Sequence, residues 1–453
     1  METKLIDHLF RHHSGKMVSV LTRIFGLSNL EIVEDAVQDT FIKASISWRK
    51  QQPDNPEAWL TKAAKNRVLD IFRKIKTEKK HLPKLKNGIE AIAIQDFFLD
   101  SEIEDAQLRM IFTACHPKLD SKDRIAFALK TISGFSAKEI ASALLIKEET
   151  IRKRIFRARK TIQDSKITFK IPQGKELPQR IESVLEVLYL IFNEGFHSNK
   201  KDVLIRKELC GEAMRLCKSL LKNKHTNIAA SYALFALMCF HAARLDAKIN
   251  TENEVLDLKN QDRNKWSFPL IQLGNAMMNK AVENNEFSTY HYEAAIIAEH
   301  IKAPTFKQTN WDKILLWYQY LYKIQPSDYH TLSMAVVCLQ NKNYIKANYY
   351  FEQINPNNLE QRAYLFFSAK ADYYAAIKKK DEAIKQLNIA LKKVTNNYEK
   401  DFSHIRRSLD TIKLLWNRSE EIINIKIDGL MIELLPNQIT TTTFLQHFEL
   451  PKG

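Results

Sequence analysis

Along most of the chain, apolar residues return every three or four positions, the interval that gathers side chains onto one face of an α-helix. Leu30, Val33, Val37, Phe41 and Ala44 form one such stripe, which leaves Glu34, Asp35, Gln38 and Asp39 outside it as an acidic, hydrogen-bonding patch. A second helix is predicted from Glu57 to about Lys76, with Trp59, Leu60, Ala63, Ala64, Val68, Leu69, Ile71 and Phe72 set among Lys62, Lys65, Arg67, Arg73, Lys74 and Lys76. Between Phe135 and Gln163 the pattern predicts two helices and a tight turn. Ile140, Ala141 and Leu144 mark the first, Lys147 and Glu148 the turn, and Ile151, Ile155, Ala158 and Ile162 the second. The period changes only near Ile422: Ile423, Ile425 and Ile427 alternate up to Asp428-Gly429, and Leu430, Ile432 and Leu434 continue the alternation, which is the signature of a β-hairpin.

Composition sharpens this picture. The 453 residues include 10 glycines and 12 prolines, too few to punctuate a sheet protein, so an all-α fold of about three domains is expected. The formal charge of +16 is concentrated at the N-terminal side, where residues 1–170 hold 32 Lys and Arg against 22 Asp and Glu. The remaining residues hold 37 against 31. A polyanion is therefore expected to meet the first third of the chain. The opening METKLIDHLFRHH interrupts any apolar core with polar residues, and the longest apolar run, near Ala229 to Phe240, is too short to cross a bilayer. A cytoplasmic protein without membrane contact is expected. Cys115, Cys210, Cys217, Cys239 and Cys338 are scattered without a CxxC pair, as suits reduced thiols in helical cores. Neither a Gly-rich phosphate loop nor a metal-ligand spacing nor a nucleophile–base pattern occurs, so the chain is read as non-enzymatic, with no cofactor and no metal. Tyr189, Asn193, Glu194 and His197, at the end of an apolar helix, are assigned to an interface rather than to catalysis.

The second helix of the turn motif carries the densest positive charge. With about 100° between successive residues, Glu149, Lys153, Phe156, Arg157 and Lys160 lie opposite the apolar stripe, and Arg152, Arg154 and Arg159 flank them. Such a helix presents base-reading side chains in a major groove and places its flanking cations at phosphates. In the earlier basic helix, Lys62, Lys65, Arg67 and Arg73 suit phosphates, while Asn66 and the nearby Trp48 offer polar and stacking groups to an unpaired base.

Several of these segments resemble the extracytoplasmic-function class of sigma-70-type RNA polymerase sigma factors. Glu34-Asp35-Ala36-Val37-Gln38-Asp39-Thr40-Phe41 is similar to the D-x-x-Q-[DE]-x-F segment of that class. Pro56-Glu57-Ala58-Trp59-Leu60, followed by Ala64-Lys65-Asn66-Arg67-Val68-Leu69-Asp70 and Arg73-Lys74, is similar to its P-x-x-W-L…A-x-N-x-x-[LI]-D-x-x-R-[RK] segment. The resemblance implies RNA polymerase core and promoter DNA as partners. It implies Asp35, Gln38, Asp39 and Phe41 as polymerase-binding residues on the clamp coiled coil. Trp48, Lys62, Lys65, Asn66, Arg67 and Arg73 would contact the −10 element, where the loop Ile46 to Asn55 would capture a flipped base. Glu149, Arg152, Lys153, Arg154, Arg157 and Lys160 would contact the −35 element.

The resemblance extends beyond the turn motif to the subgroup with a tetratricopeptide-like C-terminal domain. It is carried by Phe112-Thr113-Ala114-Cys115-His116-Pro117, Val187 to Gly195, Asn260 to Trp266 and Tyr292-Glu293-Ala294-Ala295-Ile296. Ala347 and Ala383, in two similar helical segments, suggest the same repeat period. The expected organisation is a sigma region 2 domain at 1–78, a linker at 79–100, a region 4 helix-turn-helix domain at 101–168, a helical array at 177–415 and a tail at 416–453. A linker of about 25 residues spans about 80 Å when extended, enough for promoter elements about 20 base pairs, or about 70 Å, apart. The array would bind a regulatory protein and control the factor in cis, with most rings of the Trp311 to Tyr322 segment packed in its core. The competing reading is a polymerase-independent helix-turn-helix regulator with a tetratricopeptide-like sensor.

Overall fold

The computed structural model describes residues 2–49, 51–78, 100–144, 146–197, 203–248, 256, 258–393, 423–427 and 430–434. It divides the chain into two compact units, the first made of residues 1–198 and 202–231, the second of 199–201 and 232–453. The linker expected at 79–100 lies almost wholly outside the described residues, as does most of the tail.

The first unit begins with three packed helices, α1 (Glu2–Phe25), α2 (Leu30–Ser47) and α3 (Pro56–Glu78). The stripe read from sequence is their core: Leu30, Val33, Val37, Phe41 and Ala44 of α2 are buried against Leu21 and Phe25 of α1 and Leu60, Ala64 and Val68 of α3. Asn55 caps α3, its Oδ1 accepting from the Ala58 amide at 3.0 Å. Next come α4 (Asp100–Ala114), α5 (Ser121–Thr131), α6 (Ala137–Leu144) and α7 (Glu148–Asp164). Ser136 and Glu139 form a reciprocal cap at the start of α6, with bonds of 2.8 and 3.1 Å.

These two helical groups touch directly. Helix α1 packs on α4 and α5 so closely that a Cβ on Gly15 would sit 1.8 Å from the Ile132 carbonyl oxygen. Gly134, at φ +71°, makes the matching approach to Ser14.

Helices α8 (Leu177–His197) and α9 (Val203–Lys222) belong to the same unit. Helix α8 covers α4 and α5 and supplies donors where α4 ends. Arg180 Nη2 donates to the Phe112 carbonyl and Ser183 Oγ to the Cys115 carbonyl, both at 2.6 Å. Arg124 of α5 in turn donates to Ser183 Oγ at 2.6 Å and to Glu186 at 3.1 Å. The Phe112–Pro117 motif is thus a helix end built to receive α8. Burial pushes the Cys115 thiol up to about 12, and burial with the nearby Arg180 charge lowers His116 to about 4, so neither ionises at neutral pH.

The second unit contains α10 (Ala229–Ala242), whose first three residues close the first unit, then α11 (Phe268–Ala281), α12 (Thr289–Lys302), α13 (Trp311–Ile324), α14 (Asp328–Gln340), α15 (Tyr344–Glu352), α16 (Ala363–Ala376) and α17 (Lys380–Lys393). Successive helices from α12 to α17 pack on their neighbours, as in a tetratricopeptide-like array. Ala347, Phe351 and Ile354 on and after α15, like Ala383, Leu387 and Ala390 on α17, are all buried, so the repeat read from two alanines holds at three positions. Trp311, Trp317 and Tyr318 pack on this core, while Tyr320 and Tyr322 are exposed. Strands β1 (Ile423–Ile427) and β2 (Leu430–Leu434) pair antiparallel, Ile427 opposite Leu430, which is the hairpin the alternation predicts. All five cysteines are buried and none is in a disulfide.

The contacts of α8 and of His300 each lead to a measurable outcome. Ser183→Ala with Arg180→Met removes both donors at the end of α4, and an unmet buried carbonyl costs about 1–3 kcal/mol. The first unit of that variant is expected to melt at lower temperature by calorimetry while the transition of the second unit stays in place. In the second unit, burial first and then the charges of Arg244 and Arg263 lower His300 from 6.5 to about 4. Because its folded value lies below its unfolded one, stability is complete above about pH 6.5 and falls as the pH drops toward 4. Urea titrations at pH 7 and 4.5 are expected to show that loss, and His300→Phe to reduce it.

Candidate nucleic-acid interface

Helix α7 is anchored and oriented by its own sequence. Ile151, Ile155, Ala158 and Ile162 are buried, and Glu149, Arg152, Lys153, Phe156, Arg157 and Lys160 are exposed. Phe156 is 67% exposed, a large apolar ring standing among cations on an otherwise polar face. Arg157 is held rather than free. Its Nε and Nη2 donate to the two carboxylate oxygens of the buried Asp123 on α5, at 2.9 and 2.6 Å. That side-chain hydrogen bond and the Asp123 charge hold the guanidinium more firmly protonated than usual. Arg152 pairs with Glu148 at 2.6 Å and Lys153 with Glu149 at 2.7 Å, one turn apart on the helix surface. Arg154 is half-buried and Lys160 open.

Arg159 departs from the expected pattern. It turns from the cationic face toward α2, donating to Glu31 at 2.9 Å and making a close ion pair with Glu34. Glu34 is accordingly 4% exposed, not part of an open acidic patch. The remainder of that patch is open or half-open: Asp35 is exposed, Gln38 and Asp39 are half-buried, and Ile42 and Ile46 continue the same face at 59% and 64% exposure. Partial burial, with the Glu31 charge beside it, raises the Asp35 carboxyl above its usual value. Phe41 is 5% exposed and meets Phe10 edge-on at 5.0 Å between ring centres, so it belongs to the core and cannot itself touch a partner.

An open cleft of about 480 Å³ lies between α2 and α3, lined by Lys43, Ile46, Trp59, Asn66, Arg67 and Asp70 among others. Asn66 and Lys62 are exposed, and Lys65 and Arg67 half-buried. Arg73 is exposed and bonded to Asp70 at 3.2 Å. Arg67 donates twice to Asp39, at 2.9 and 2.7 Å, which ties the cleft to the acidic face of α2. Trp48 is not available for stacking. It is 3% exposed and packed against Trp59, at 5.5 Å between ring centres, so Trp59 is the ring that reaches the cleft. The apolar pattern of α3 groups Trp59 with the core, although its place near the start of a basic helix also makes it a candidate.

Two packed helical groups, one with an acidic helix face and a basic cleft, the other with a turn motif bearing a cationic helix, are the parts of a promoter-recognition factor. The family descriptions agree: residues 9–78 match sigma-70 region 2, residues 109–162 match sigma-70 region 4, and residues 180–282 match a family of unknown function, DUF6596. An uncharacterised protein of Rhizobium meliloti strain 1021, R00370, is 32% identical over 339 residues, covering 74% of this chain and 79% of that protein. The sigma factor SigE of Mycolicibacterium smegmatis is 29% identical over 158 residues, 35% of this chain and 60% of SigE. The ferric citrate uptake sigma factor FecI of Escherichia coli is 29% identical over 152 residues, 34% of this chain and 85% of FecI. No solved structure matches the chain at a significant level. The chain belongs to the extracytoplasmic-function class of sigma-70-type RNA polymerase sigma factors, with an added C-terminal helical domain. Among the described residues, no helix is long and apolar enough to cross a membrane.

Asp123→Asn keeps the shape of the Arg157 seat while removing its charge. Binding of α7 to duplex DNA is expected to weaken about three- to tenfold, the loss associated with a charge-assisted pair, as read by fluorescence anisotropy on a promoter fragment with core polymerase present.

Proposed function

We propose that this sigma factor docks on core RNA polymerase through the open face of α2, reads the upstream promoter element with α7 and the downstream element with the α2–α3 cleft, and so starts transcription. The observation that carries this reading is the pairing of an anchored cationic helix, its Arg157 pre-aimed by Asp123, with a second helical group bearing an acidic face and a basic cleft. Pre-aiming matters because a guanidinium fixed in one geometry discriminates between base edges, whereas a freely rotating one attaches equally well to any phosphate.

On α2 the docking residues are Asp35, Gln38 and Asp39, with Ile42 and Ile46 adding apolar area below them. In the cleft, Asn66, Lys62, Lys65, Arg67 and Arg73 surround an unpaired base, and Trp59 supplies the stacking ring. On α7, Glu149, Lys153, Phe156, Arg157 and Lys160 face the major groove, with Arg152 and Arg154 at phosphates. The C5-methyl group of thymine is the one apolar feature of that groove, and the exposed Phe156 ring suits it. The factor performs no chemistry of its own and works in the cytoplasm, where its polymerase is. Its second unit is a regulatory domain acting in cis, with exposed aromatic groups such as Phe287 and Tyr320 available to a protein partner. A polymerase-independent regulator would have no use for the region 2 group, so that alternative is not favoured.

Transcription in vitro with core polymerase and a promoter library tests the whole reading, and its core is lost if the full chain directs no promoter-specific initiation. Asp35→Lys is expected to weaken polymerase binding at least about tenfold, through like-charge repulsion against a basic partner, with circular dichroism unchanged. Phe156→Ala is expected to abolish the difference between an upstream element containing thymine and the same element containing deoxyuridine.

A further inference from the structure

Four buried polar atoms without a hydrogen-bond partner gather where α12 ends: Arg263 Nη2, Trp266 Nε1, His300 Nδ1 and Thr309 Oγ1. They come from two short stretches, the turn at 263–266 and the segment from His300 to Thr309. Arg263 draws the two together. Its Nη1 donates to the His300 and Ala303 carbonyls at 2.7 and 2.8 Å, and its guanidinium lies over the Trp266 ring, 4.5 Å from the ring centre. Phe306 stacks with His300 at 6.3 Å between ring centres, and Trp311 meets both rings edge-on, at 5.5 Å from His300 and 5.1 Å from Phe306. Backbone bonds of 3.3 and 3.0 Å hold Thr309 between Phe306 and Trp311. The stretch Asn260 to Trp266 is one of those that carry the family resemblance, and promoter recognition makes no use of it.

An unmet donor inside a protein is costly, and an uncompensated cation more so. No carboxylate among the described residues pairs with Arg263, and burial lowers its pKa from the ordinary arginine value with no neighbouring acid to offset it. His300, held neutral by burial and by the charges of Arg244 and Arg263, still has one N–H to give. The acids close in sequence are committed elsewhere: Asp262 accepts from the Asn264 amide at 3.0 Å, and Glu299 lies 3.8 Å from Lys313. Lys265, Lys302 and Lys307 are exposed along the same two stretches, so the approach is cationic. A lone water would accept two of the missing bonds and supply no charge. The composition calls for an anion.

We propose that the end of α12 and the turn at 263–266 form a binding site for a small organic carboxylate. A carboxylate carries one negative charge, which matches the single uncompensated guanidinium, and its two oxygens offer about four lone pairs. They accept from Arg263 Nη2, Trp266 Nε1, Thr309 Oγ1 and the His300 tautomer protonated at Nδ1, while the apolar remainder of the acid lies against Phe306 and Trp311. The enclosure of all four atoms suits a small ligand rather than a macromolecule. Entry requires the loop at 303–310 to part from the turn at 263–266, and occupancy then bonds the two together, which stabilises the second unit. The inference goes beyond the regulatory role proposed for that unit and does not depend on the initiation reading.

The test uses the full chain with its six tryptophans labelled at the indole nitrogen, the Trp266 signal being assigned as the one lost in Trp266→Phe. Sodium acetate and sodium benzoate are titrated in, with sodium chloride at matched ionic strength as control and inorganic phosphate for comparison. At least one of the two acids is expected to shift the Trp266 indole signal saturably, chloride to leave it in place, and calorimetry to show the transition of the second unit rising while that of the first stays put. Arg263→Gln removes the charge and is expected to abolish the saturable shift. Trp266→Phe keeps a ring beneath the guanidinium and removes one donor, so the calorimetric titration is expected to show binding weakened roughly two- to tenfold. If Arg263→Gln does not fold, Trp266→Phe decides the placement. A Trp266 signal that neither acid shifts, or that chloride shifts equally, overturns the site. Unchanged affinity in Trp266→Phe overturns its placement, and tighter binding of phosphate than of both acids overturns the carboxylate class.

Discussion

A helix that ends inside a protein must find donors for its last carbonyl groups, and the end of α4 finds them in a segment that lies beyond the residues matching region 4. Arg180 and Ser183 of α8 reach back over the Phe112–Pro117 turn and satisfy the carbonyls of Phe112 and Cys115. Everything in the region 4 group leans on that arrangement. Helix α4 carries α1 on one side and α8 on another, α5 is pinned through Arg124 to Ser183 and Glu186, and the residue preceding Arg124 is Asp123, which aims Arg157. The start of the C-terminal extension is therefore a wall of the DNA-reading group, and the separate second unit is built almost wholly from the chain beyond α9.

Charge is distributed in this unit so that several of the candidate side chains are already engaged. Arg157 is held by Asp123, Arg67 by Asp39, Arg159 by Glu31 and Glu34, and Arg152 and Lys153 by acids one turn away. These pairs differ in kind. The ones between Lys153 and Glu149 or Arg152 and Glu148 are exposed, contribute little to stability and exchange readily for phosphate. The ones to Asp123 and Glu34 have a buried carboxylate, and breaking them without a replacement strands a charge away from water. The first kind is given up at little cost, and the second is kept unless another cation arrives.

Much of this is legible in the sequence. Every helix whose apolar residues fall on a single stripe, α2, α3, α6 and α7 above all, is recognisable because a 3.6-residue period has no other common cause. The same logic locates the hairpin from its period of two. What local periodicity lacks is the identity of the opposite wall. Glu34 sits on the flank of its stripe, and only a partner 125 residues away decides that it is buried. Arg159 reads as a phosphate contact for the same reason. Phe41 carries its own signal against a role at the polymerase: it lies within the apolar stripe itself, and burial follows from that position more directly than any partner contact. For α8 the signal is the run Val187 to Phe192, apolar all round, which marks a helix covered on more than one side.

The placement of α8 bears on how an extension of this kind can regulate. A separate inhibitor can leave and return the factor to its unrestrained state, whereas a helix that completes the core of region 4 cannot leave without exposing the apolar surface beneath it and the carbonyls it serves. Any influence of the second unit on the promoter-reading group would have to act with α8 in place.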